Sequence, residues 1–151
     1  MTHSIQPTRS TGPAPAPASG PARLLGSLPL ALGADAAVTG ANALLYLALA
    51  APLADLLGAP RPWLLAVGAF LACYAAVVAL VARRAAGRGP VRAAVWPVVG
   101  VNLLWTAASL AVAAGSVLPL TGIGRAWTVL QAVAVLGFAL WQVTALRGRR
   151  A

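Results

Sequence analysis

The chain reads as an all-α protein, a transmembrane four-helix bundle built from two repeated helical hairpins behind a disordered N-terminal tail. Three observations predict this. Of its 151 residues, 60% are hydrophobic and only 9% are charged, whereas a water-soluble domain carries about 25% charged residues to keep its surface wet. Two apolar stretches each open on a tryptophan and close on an arginine, Trp63 to Arg83 and Trp127 to Arg147. A run of about 20 apolar residues, rising about 1.5 Å each, crosses a hydrocarbon core of roughly 30 Å. Tryptophan favours the interface and arginine the cytoplasmic end. Finally, the two stretches lie at an offset of 64 positions, the mark of a doubled unit.

Taken in order, residues 1–22 hold five prolines among alanine and serine, with almost no large apolar side chains. Such a segment cannot repay the entropy of ordering, so a disordered cytoplasmic tail is expected. The apolar run behind it is too long for the core of a signal peptide. The remaining 23–151 form the bundle. A first span is expected over 28–51, followed by an external connection, 52–62, that holds Asp55 and Arg61. The second span is 63–82. Arg83, Arg84, Arg88 and Arg92 then crowd a connector with Gly87, Gly89 and Pro90. The third span is 93–118, with Pro97 expected in its first turn, where a missing N–H costs little. A turn over 119–125 leads to the fourth span, 126–146. Nine of the eleven arginines fall in the tail, the central connector and the C-terminus, and only Arg61 and Arg125 in the other two connections. That imbalance places both termini in the cytoplasm of a multi-pass cell-membrane protein.

The halves correspond in detail. Gly58-x-x-Arg61-x-Trp63 matches Gly122-x-x-Arg125-x-Trp127, and Tyr74 falls on Phe138, all at an offset of 64. Gly40-x-Asn42 matches Gly100-x-Asn102 at an offset of 60. Each repeat holds two spans, so both halves insert the same way up, about an axis along the membrane normal.

Lipid offers no partner to a polar side chain, so those within spans should face protein or a wet cavity. Asp35, Thr39, Asn42 and Tyr46 share one helix face, as do Asn102, Thr106 and Ser109, with Ser116 extending that stripe. On the fourth span Gln131 and Gln142 bracket Val135 and Phe138; on the second, Tyr74 lies between Val67, Phe70 and Val78. Asp35, Asn42, Tyr74, Asn102 and Gln142 are the candidate binding residues, an intramembrane polar seam. Stripes of small residues, Gly68, Ala72 and Ala76 and then Ala107, Ala111 and Gly115, are candidate helix contacts.

Asp35 is the one acidic group within a span. A charged carboxylate at that depth costs about 2.5–3.5 kcal/mol, so it is either protonated or hydrogen-bonded to Asn102 or Gln142. Its functional reading is a proton- or cation-responsive site; its structural reading is a polar staple between helices. Cys73 has no second thiol and reads as a small buried hydrophobe. His3 lies in the tail, so haem held by intramembrane histidines is not expected. No His, Cys and carboxylate cluster forms a metal site, and no nucleophile sits with a base. The chain is therefore expected to be no enzyme and to hold no cofactor and no metal. The net charge of +9 belongs to the span flanks and not to a nucleic-acid surface.

The Gly-x-Asn segments, the Gly-x-x-Arg-x-Trp turns and the proline-rich tail resemble small four-span integral membrane proteins of actinobacteria, a likeness that implies architecture and no activity. Three functions fit. One is an accessory or structural subunit of a membrane complex, with the lipid bilayer and a protein partner or homodimer as its company. The second is a small proton-coupled transporter using Asp35, similar to the small multidrug exporters. The third is a redox-complex membrane subunit like the DoxX group, on architecture alone.

Overall fold

The computed structural model describes residues 27–87 and 90–148. The tail 1–22 lies outside them, as do Arg88, Arg149 and Arg150. The described residues form five helices and no strand: α1 (Leu28–Ala48), α2 (Ala50–Leu57), α3 (Arg61–Ala86), α4 (Arg92–Ala114) and α5 (Gly122–Gly148). All but α2 are long and apolar enough to cross a membrane, which is the make-up of a multi-pass membrane protein.

Two prolines account for departures from the expected spans. The first span ends at Ala48 instead of 51, and a short helix occupies much of the expected connection. Pro52 has no N–H for the Ala48 carbonyl, and its ring would collide with that group in a continuous helix. Leu49 takes up the break at φ −116° and ψ 24°, while Leu53 N–H still bonds the Leu49 carbonyl at 3.0 Å. Pro97 lies inside α4 and not in its first turn, because α4 already starts at Arg92. The Ala93 carbonyl there has no proline N–H to accept.

The helices pack as two antiparallel hairpins, α1 with α3 and α4 with α5, with weaker contact from α1 to α5 and least from α3 to α4. Within the first hairpin the backbones approach closely. A methyl group on Gly68 would stand 3.1 Å from Tyr46 Cβ and 3.0 Å from Leu47 Cγ, and Gly40 faces Ala75. The expected small stripes are otherwise wrong: Ala72, Ala76, Ala107 and Ala111 are exposed. The small residues that pack are Ala43, Ala75, Ala132, Ala139 and Ala145. Cys73 is exposed as well, on the outer face of α3, and Ser116 lies exposed in the turn after α4.

Polarity is arranged inside out. Asp35, Thr39, Asn102, Thr106, Ser109 and Gln142 are buried, while Leu44 and Leu104 are 69% and 70% exposed. A protein in water would reverse this order; in a bilayer the outer leucines meet acyl chains.

At the end of the bundle away from the Arg-rich connector, α2 is joined to the start of α5. Gly58 closes α2 with φ 72°, a left-handed conformation for which glycine has no Cβ penalty. The Thr121 hydroxyl donates to the Leu56 carbonyl at 2.7 Å and accepts the Gly124 N–H at 3.0 Å, capping α5. Thr121 N–H reaches the Leu57 carbonyl at 3.0 Å. A Cβ on Gly124 would run into that same carbonyl. Two apolar clusters fill the ends. One gathers Leu28, Leu32, Val78, Val95 and Leu146 at the Arg-rich end; the other gathers Tyr46, Leu57, Leu64 and Leu71 beneath α2.

Candidate functional site

The polar side chains collect into two clusters at different depths. The deeper one centres on Asp35, which has no exposed surface. Asn102 Nδ2 from α4 donates to Asp35 Oδ2 at 2.8 Å, and Gln142 Nε2 from α5 donates to the same oxygen at 2.7 Å. Thr39, one turn along α1, donates its hydroxyl to Oδ1 at 3.1 Å. The Tyr74 hydroxyl from α3 shares its proton between Asn102 Oδ1 at 2.9 Å and the Val98 carbonyl at 3.1 Å. All four long helices thus meet through one carboxylate and one amide. The partners of Asp35 are neutral donors, and each of its oxygens is used.

The second cluster lies toward α2. The Tyr46 hydroxyl accepts from Trp127 Nε1 at 2.9 Å and from Gln131 Nε2 at 2.6 Å. Asn42 Nδ2 donates to Gln131 Oε1 at 3.0 Å. Asn42 Oδ1, although buried, has no hydrogen-bond partner.

Of the five candidate residues, Asp35, Asn102, Gln142 and Tyr74 come together, while Asn42 belongs to the second cluster. Sequence reasoning treated Trp127 only as an interfacial anchor, yet it turns inward to Tyr46 and its repeat mate Trp63 stays 49% exposed. The signal was present, since Trp127 stands one turn before Gln131 on the Gln131–Val135–Phe138–Gln142 stripe. The two asparagines matched in the sequence repeat do not have equivalent partners in the two hairpins, since both turn to α5. Asn42 and Asn102 each sit on the first helix of a hairpin, and each reaches a glutamine of α5, Gln131 at 3.0 Å and Gln142 at 3.5 Å.

Between the clusters the hairpins do not close fully. A cavity of about 340 Å³ is bounded by α1 residues Val38 and Asn42, by Tyr74 and Trp105, and by Ala134 and Phe138 of α5. A second, of about 430 Å³, lies nearer α2 between α3 and α4, among Trp63, Val67, Ser109 and Trp127. Phe70 and Trp105 border both. Their rings stack at 5.6 Å and 10°, and Phe70 stacks in turn on Tyr74 at 6.2 Å and 4°. Among the described residues no three His, Cys, Asp or Glu side chains gather as a metal site.

Comparison with protein-family models, with curated proteins and with solved structures finds no match. The likeness to actinobacterial four-span proteins therefore has no relative behind it.

Proposed function

We propose that the chain is a non-catalytic accessory or structural subunit of a cell-membrane complex. Both termini face the cytoplasm, as the arginine imbalance favours. The observation that carries this reading is the state of Asp35. Its carboxylate is sealed from solvent, and both of its oxygens accept hydrogen bonds, from Thr39, Asn102 and Gln142. A group so enclosed ties helices together; a proton carrier needs an opening to each side in turn. Nothing beside it acts as nucleophile or base toward a substrate, which supports a role without catalysis. Purification of the tagged chain from native membranes in mild detergent tests the reading. It predicts a stoichiometric protein partner, or a homodimer. A chain that elutes alone as a monomer contradicts it.

The transporter reading has one observation in its favour. Asn102 and Tyr74 border the cavity of about 340 Å³ and connect it to Asp35. If the chain exports a substrate against protons, Asp35→Asn abolishes proton flux in vesicles while the protein stays folded.

A further inference from the structure

Asn42 carries an unmatched polar atom beside a cavity. Its side chain borders the cavity between α1 and α5, its Nδ2 is engaged by Gln131, and no group of the protein reaches its buried Oδ1. A buried amide oxygen without a partner is unfavourable enough to need an explanation. The cavity wall is mostly apolar or aromatic, and its other polar side chains, Thr39, Asn102 and Gln131, already have hydrogen-bond partners; the Tyr74 and Trp105 rings lie within 10° of parallel to Phe70. A half-turn of both the Asn42 and Gln131 amides would free Asn42 Nδ2 in place of Oδ1, with the Tyr46 hydroxyl then donating to Gln131. A hydroxyl group answers either arrangement, because it both donates and accepts. The cavity volume of about 340 Å³ falls in the range of small-molecule sites, which are mostly apolar with a few fixed polar groups. The exposed side chains Val38, Leu45 and Leu130 stand at its rim, where a solute dissolved in acyl chains would arrive.

We propose that this cavity holds a flat, lipid-soluble ring alcohol or phenol, its rings against Phe70, Tyr74 and Trp105 and its hydroxyl on Asn42. The inference stands whether or not the bundle has a protein partner. β-Naphthol is the probe and β-methylnaphthalene, of similar size but without a hydrogen-bonding group, is the control. Each is titrated calorimetrically into the full chain in lipid nanodiscs, with empty nanodiscs as reference and affinity expressed on bilayer concentration. The expected result is saturable binding of β-naphthol, about tenfold tighter than the control, since an unanswered buried polar group forfeits about that much. Asn42→Leu should bring the two affinities together. Ala134→Phe, which fills the cavity from its wall, should remove saturable binding of both. Non-saturating uptake equal to that of empty nanodiscs overturns the proposal, as does a β-naphthol preference that survives Asn42→Leu. Should Asn42→Leu fail to fold, Ala134→Phe decides alone, and persistence of binding in that variant refutes the site.

Discussion

Replacing Asp35 in two ways separates its charge from its hydrogen bonds. Asn102 and Gln142 both donate to Oδ2, whereas Oδ1 meets only the Thr39 hydroxyl. In Asp35→Asn the amide oxygen can occupy the Oδ2 position and keep both inter-helix bonds. The new NH₂ then faces a hydroxyl, which can turn and accept. Asp35→Asn should therefore change stability by less than about 1 kcal/mol. Asp35→Leu removes all three bonds and strands two amide donors where no water reaches. Inter-helix hydrogen bonds in membranes average about 0.6 kcal/mol and reach about 1.7, so the loss should be about 2 kcal/mol or more. Reversible unfolding in mixed detergent micelles, followed by circular dichroism, measures both variants against the parent. Equal destabilisation by Asn and Leu would refute the hydrogen-bond argument and assign the effect to charge. A neutral Asp35→Leu would show that the carboxylate ties nothing together.

Glycines at and away from the α2–α5 joint give a sharper steric test. Gly124→Ala drives a methyl into the Leu57 carbonyl and should cost about 1–3 kcal/mol, the range for overpacking. Gly100→Ala meets nothing within 4 Å and should be neutral or gain up to about 1 kcal/mol from helix propensity; thermal denaturation in detergent reads both. Thr121→Ala removes the cap of α5 and should cost about 1 kcal/mol, with faster amide exchange confined to the first turn of α5 by mass spectrometry. Reporter fusions after Arg88 and after Gly58 should read cytoplasmic and external respectively, and the reverse pattern would overturn the orientation.

Much of the bundle was legible because its two governing signals are local. Twenty-residue apolar runs announce spans, and polar side chains at steps of three and four announce an inward face. Asp35, Thr39, Tyr46, Asn102, Thr106 and Gln142 were placed on inner faces that way, and all are buried. The small-residue stripes failed because alanine is common on the lipid face as well as in packing, so Ala72 and Ala107 carry no directional information. α2 was missed because Pro52 reads as a connection. Here it occupies the first turn of a new helix, where its absent N–H is not needed. The division of the polar residues into two clusters was hidden for another reason. Which α5 glutamine each asparagine meets depends on the vertical register of the hairpins, and register is set by contacts between residues far apart in the sequence.

The central claim is that the leucine-rich faces meet lipid and the polar seams meet each other. Spin labels on single cysteines, introduced in a Cys73→Ala background, test it most directly. Labels at Leu44, Leu104 and Leu140 in reconstituted bilayers should collide freely with oxygen and scarcely with a water-soluble nickel chelate. Strong collision of those three labels with the chelate would place the leucines in water and contradict the account.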